Sequence, residues 1–268
     1  MPERAAAAVP PPVVLVFAPR ERTRSLARDA FPRRRWRVLL ARGVDDFARG
    51  FRDELIDAAV VDLGGGHEDT WAAAGLAREF PSVPFFALTS LRAAEGPALA
   101  QCATLEFADV LVEDVDEDAI RELVLRHAFS TRFSRALEAP PPALGLATAL
   151  QVDAWRFVVQ HAGRPVRTAA LADWLGVTRE HLSRTFSAGG APNLKRIIDL
   201  VRLIAAAELA KNPGYDVRDV ANVLSFASSS HLSSTAQRIA GTRPGSLSRL
   251  RTVDLIERFS RGHARSRG

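Results

Sequence analysis

The sequence predicts two domains of different class, a doubly wound α/β domain followed by an all-α domain. Three observations carry this. Short, continuous apolar runs alternate with amphipathic segments between Val13 and Phe129, in five strand-plus-helix units. A run of Pro140, Pro141 and Pro142 then breaks the chain. Beyond it, two patterns of apolar helix, tight turn and second helix are joined by one long helical stretch. Apolar strands without polar alternation belong to a parallel sheet covered by helices on both faces.

Element by element, residues 1–12 are rich in Ala and Pro and read as a tail. Strands are expected over 13–18, 36–41, 57–63, 83–89 and 108–112, and helices over 22–31, 44–55, 69–80, 97–107 and 118–129. About 120 residues so arranged match one flavodoxin-like, five-stranded domain, placed at 13–132. Residues 133–146 read as a Pro-rich linker. An all-α domain follows over 147–252, with a helix over 147–161, helix-turn-helix patterns over 168–186 and 217–236, and a joining helix over 194–210. On that joining helix, Ile197, Leu200, Val201, Ile204 and Leu209 form the expected buried stripe. Residues 253–268, rich in arginine, read as a loose basic tail.

Charge is uneven along the chain. Residues 150–268 carry 18 Lys and Arg against 9 Asp and Glu, whereas residues 1–149 carry 18 against 22. A basic half beside an acidic half points to a nucleic-acid-binding domain and a domain that avoids nucleic acid. The single cysteine, Cys102, excludes an internal disulfide framework, fits a reducing cytoplasm and reads as a small core residue. The apolar run at 13–18 is far short of a membrane helix, so no membrane partner is expected. No nucleophile–base pair or metal-ligand spacing appears, so neither catalysis, metal nor cofactor is expected. His67, Glu68 and Asp69 are adjacent and cannot all face one ion from a regular element, and Gly64-Gly65-Gly66-His67 lacks the spacing and lysine of a phosphate loop.

In the basic half, the first pattern reads L-A-D-W-L-G-V-T-R-E-H-L-S-R-T-F, the linking helix V-R-L-I-A-A-A-E-L-A, and the second approach D-V-R-D-V-A-N-V-L-S-F, with G-T-R-P at 241–244. These stretches resemble the DNA-binding domain of the AraC/XylS family of transcriptional regulators. Thr168 and Thr178 are expected to cap the two helices of the first unit. Leu171, Ala172, Leu175, Val177, Leu182 and Phe186 have the spacing of a small core, leaving Arg179, Glu180, His181, Ser183 and Arg184 outward. The resemblance places Arg179, Glu180, Ser183 and Arg184 on the groove-facing side, where Arg can pair with guanine and Glu with cytosine, with His181 as a phosphate contact. In the second unit Ser225 stands where the family carries Gly, and the corresponding helix offers Ser229, Ser230, Ser233 and Ser234, which discriminate bases poorly. The first unit is therefore expected to carry most base readout, with Arg238, Arg243, Arg249 and Arg251 near enough for phosphate contacts.

The α/β half resembles a response-regulator receiver domain. That resemblance makes Asp62, ending the third strand, the phosphoacceptor-like residue, with Thr89 or Ser90 ending the fourth strand. The rest of the expected set is missing: A-P-R-E-R at 18–22 offers only Glu21, and Glu113 and Asp114 stand where a lysine is expected. Acidic groups there repel phosphate, so Asp62 reads as an inactive phosphoacceptor position and the domain as one for signal reception or dimerisation. The partners expected are double-stranded DNA, a second copy through the N-terminal domain, and RNA polymerase. The alternatives are a phosphorylation-dependent response regulator acting through Asp62 and a protein-interaction regulator with weak DNA binding.

Overall fold

The computed structural model describes residues 9–65, 68–92, 95–113, 117–187 and 190–265. Most of the N-terminal tail, Gly66, His67, Asp114 and the last three residues lie outside the described residues. The chain divides into two compact units; one comprises Pro11–Arg132 with Asn212–Asp219, and the other takes the rest.

The first unit is a five-stranded parallel sheet in the order β2-β1-β3-β4-β5. Its strands are β1 (Val13–Phe17), β2 (Arg37–Ala41), β3 (Ala58–Asp62), β4 (Phe85–Thr89) and β5 (Asp109–Val112). Between and after them lie α1 (Glu21–Ala30), α2 (Val44–Asp53), α3 (Glu68–Gly75), α4 (Gly96–Thr104) and α5 (Glu117–His127). That strand order is the flavodoxin-like form of the doubly wound fold. The apolar runs of β1, β3 and β4 are buried at every position because they are the central strands, covered on both faces. Edge strands β2 and β5 are only partly buried.

One face of the sheet buries Val14, Val60, Phe86 and Leu88 against Phe31, Ile120 and Val124. The other is aromatic: Phe51 stacks on Phe80 at 4.3 Å and on Phe85 at 5.6 Å, and Phe47 meets Phe17 edge-on. Tyr215 extends that aromatic layer, its ring against Phe80 and its hydroxyl donating to the Phe51 carbonyl at 2.9 Å. Its burial raises the phenol pKa. Asn212 accepts from the Ser82 amide and donates to the Ser82 hydroxyl. The buried Asp57 carboxylate accepts from the Val13 amide at 2.8 Å and the Ser130 amide at 2.9 Å, tying β1 to α6 (Phe129–Ala136).

The second unit is helical: α7 (Ala149–Gln160), α8 (Thr168–Leu175), α9 (Arg179–Phe186), α10 (Leu194–Leu209), α11 (Val217–Val223, of which the first three residues are counted with the first unit), α12 (Ser229–Ala240) and α13 (Thr252–Arg265). A capping box opens α7, where Thr148 and Gln151 satisfy each other's amides. Gln151 also donates to the Phe186 carbonyl at 2.7 Å, fixing α7 against the end of α9.

Four expectations need correction here. The linking helix α10 has no narrow stripe: Leu203, Ala205, Ala206 and Ala207 are buried along with the predicted positions, because α7, α12 and α13 all pack on it. Each fully buried Leu or Ile there contributes roughly 1.5–3 kcal/mol. Residues 252–265 form a helix, not a tail, since Leu255, Ile256 and Phe259 are buried and Phe259 lies under the Arg196 guanidinium. The Pro-rich stretch is no free spacer: Leu137 and Leu144 are buried, and the Leu137 carbonyl accepts from the Trp155 indole at 2.7 Å. Thr168 is the first residue inside α8; the cap position is Arg167, with no side-chain capping bond.

Candidate nucleic-acid interface

The first helix-turn-helix is built by its turn. Helix α8 ends at Gly176 with φ 70°, a left-handed position that a glycine takes without strain. The Val177 amide then bonds back to the Ala172 carbonyl at 3.0 Å. Thr178 starts α9 by accepting from the His181 amide, as expected. Leu182 and Phe186 point into the core, so Arg179, Glu180, His181, Ser183 and Arg184 are left exposed on α9. An open cleft of about 670 Å³ adjoins this face and is lined in part by Arg179, Glu180, Ser183 and Arg184.

The second unit turns at Ser225, held at φ 53° where a side chain is disfavoured. Arg202 makes that turn tenable. Its guanidinium donates to the Leu224 and Ser225 carbonyls at 2.9 and 3.2 Å and to the Gly163 carbonyl at 3.4 Å, and lies 3.9 Å from the Phe226 ring centroid. Burial lowers the Arg202 pKa, but three carbonyls and an aromatic face replace its water. Sequence reasoning missed this contact, which only the folded turn creates.

On α12 the candidate serines are placed unevenly. Ser230 and Ser234 are exposed, whereas Ser229 and Ser233 are half-buried. Ser233 donates to the Ser229 carbonyl at 2.9 Å and Ser234 to the His231 carbonyl at 3.0 Å, so both hydroxyl protons are used within the helix. Of the suggested phosphate contacts, Arg238 pairs with Asp199 at 2.9 Å and Arg251 pairs with Asp254 at 3.1 Å. Those carboxylates reduce what either arginine can offer to a phosphate.

At the C-terminal edge of the sheet, Asp62 is fully buried and its two carboxylate oxygens are crowded with donors. Arg20, from the turn after β1, reaches it through both Nε, at 2.7 Å, and Nη2. The Thr23 hydroxyl donates at 2.5 Å and the Gly64 amide at 2.9 Å. The Arg20 Nη2 also meets Glu113 at 2.5 Å, and the Arg22 Nε meets the other Glu113 oxygen at 3.1 Å. The hydrogen bond to Asp62 raises the Arg20 pKa further, so this cation is permanent. A Cβ at Gly64 would collide with the guanidinium, so the glycine makes room for it. Glu21 takes no part; it is exposed on α1 and paired with Arg24.

This corrects the expectation of unrelieved acidic repulsion. The cation and the acid have exchanged places, with arginine after β1 and glutamate after β5. Sequence reading searched 18–22 for acids and passed over Arg20, whose partners lie 42 and 93 residues away. The residues do not fit a divalent cation, because a guanidinium already fills the space between the two carboxylates. The Thr89 hydroxyl is committed as well, donating to Glu95 at 2.5 Å and thereby lowering the Glu95 pKa. Burial pushes the Cys102 thiol up to about 11, in keeping with a core role. No cluster of three or more His, Cys, Asp or Glu suited to a metal occurs among the described residues, and none of their helices is long and apolar enough to cross a membrane.

Residues 171–249 match a family described as a helix-turn-helix domain. No curated protein matches the chain in sequence. Among solved structures, a response regulator from Thermotoga maritima is 20% identical with a TM-score of 0.38, covering 44% of this chain and 97% of its own. A response regulator protein from Burkholderia pseudomallei is also 20% identical, with a TM-score of 0.37, covering 65% of this chain and 97% of its own. The C-terminal part of the chain thus contains a helix-turn-helix domain of the matched family, and it follows an α/β unit built on a five-stranded parallel sheet.

Proposed function

We propose that the chain is a cytoplasmic, sequence-specific transcriptional regulator in which α9 reads bases and α12 mainly grips the DNA backbone. The observation that carries this is the outward face of α9. Arg179 and Arg184 are exposed there without a carboxylate partner among the described residues, on a helix held rigid by Leu182, Phe186 and the Thr178 cap. Each arginine in bidentate contact with a guanine contributes about 1–3 kcal/mol of discrimination. Glu180, His181 and Ser183 share the face; Ser229, Ser230, Ser233 and Ser234 take the lesser role because two of their hydroxyls serve their own helix.

The α/β unit receives a signal or dimerises the chain without phosphorylation. Support comes from Arg20, which saturates Asp62 and Glu113 where phosphoryl transfer needs a metal and a free carboxylate oxygen. RNA polymerase is the expected further partner of a regulator of this kind. Selection of bound fragments from the source genomic DNA, then footprinting with the intact chain, tests the reading. Discrete protected sites are expected, and an absence of enrichment over random DNA refutes it.

A further inference from the structure

The cleft beside α9 extends beyond the two helix-turn-helix units. Its far wall is the start of α10, where Asn193 caps the helix by accepting from the Arg196 amide at 3.0 Å and Lys195 lies in the first turn. Thr168, in the first turn of α8, lines it too. Three cations, Arg179, Arg184 and Lys195, therefore border one space, and none has an ion-pair partner among the described residues. Among the described residues Glu180 is the one acid in that lining. Arg156, Arg238, Arg251 and Arg261 of the same unit each hold a carboxylate, unlike these three. The volume lies within the roughly 300–1,000 Å³ of small-ligand sites, roomy enough for a sugar–phosphate unit. The amino ends of α8 and α10 add positive potential to the same space.

We propose that this cleft seats one sugar–phosphate unit of the bound DNA strand, with Lys195 as its phosphate contact. Lys195 lies outside both recognition helices, so it grips the backbone beside the bases that α9 reads and fixes the register of α9 in the groove. The proposal rests on the DNA-binding reading above and names a residue and a ligand group that reading does not contain. A phosphate contact acts on every sequence alike, whereas a base contact acts on the preferred one.

The experiment uses the full chain, a fluorescent random-sequence duplex and a duplex selected from genomic DNA, with anisotropy titrations from 50 to 200 mM salt. Lys195→Ala is expected to weaken binding to both duplexes by the same factor. That factor shrinks about 3.5-fold across the salt range, as follows from losing one phosphate contact. Lys195→Arg is expected to restore both affinity and slope, and an unchanged thermal unfolding midpoint shows that the variants are folded. The proposal is overturned if Lys195→Ala leaves affinity and slope unchanged, or if it weakens only the selected duplex. A wild-type chain with no preference for the selected duplex would defeat base reading by α9, while Lys195 is still judged on the random duplex. Failure to bind either duplex at 50 mM salt defeats both.

Discussion

At the scale of single residues, Arg20 decides the character of the α/β unit. It supplies the charge that lets two buried carboxylates, Asp62 and Glu113, sit at the ends of β3 and β5, on either side of β4. Replacing it with alanine leaves Asp62 without a cation and Glu113 with Arg22 alone, which is expected to cost about 3 kcal/mol at pH 7, measured by denaturant unfolding. A loss under about 1 kcal/mol, the range of an exposed ion pair, would contradict the assignment. Arg202 plays the comparable role in the helical unit. Arg202→Ala strands the Leu224 and Ser225 carbonyls and is expected to cost 2–3 kcal/mol or so, seen in the same unfolding experiment. Neither residue was legible beforehand, since each acts on groups brought near only by folding.

Elements were read more fully, for a physical reason. The central strands are continuous Val, Leu, Phe and Ala runs, so their span and their burial on both faces follow from composition alone. Helix α9 declared itself through Thr178 and the spacing of Leu182 and Phe186. Helix α13 did not, because its arginines outweighed the Leu255, Ile256 and Phe259 pattern that buries it. The outward face of α9 was legible from that same spacing, whereas Lys195 stands on a helix whose sequence was read only for its apolar stripe. The turn of the second unit yields a prediction at this scale. Ser225 holds φ 53°, a conformation costing a side-chain-bearing residue about 1–2 kcal/mol that glycine escapes. Ser225→Gly is expected to raise stability by up to about 1 kcal/mol, since the greater freedom of glycine when unfolded offsets part of the relief. A drop in unfolding midpoint would show that the serine side chain stabilises the turn after all.

At the scale of the whole chain, the charge is divided between an acidic and a basic half. The half with 18 basic and 9 acidic residues holds the helix-turn-helix domain, and the half with 18 against 22 holds the sheet. With Arg20 filling the acidic site, beryllofluoride and Mg²⁺ are expected to leave the oligomeric state unchanged in light scattering. A dimer induced in the wild type and lost in Asp62→Ala would overturn the phosphorylation-free reading. The central claim, that α9 reads bases, is tested most directly by one ratio: affinity for a selected genomic duplex over affinity for a random one, for wild type and Arg184→Ala. The account predicts that Arg184→Ala lowers this ratio by about 5- to 150-fold, the equivalent of 1–3 kcal/mol, while binding to the random duplex persists. An unchanged ratio would contradict it.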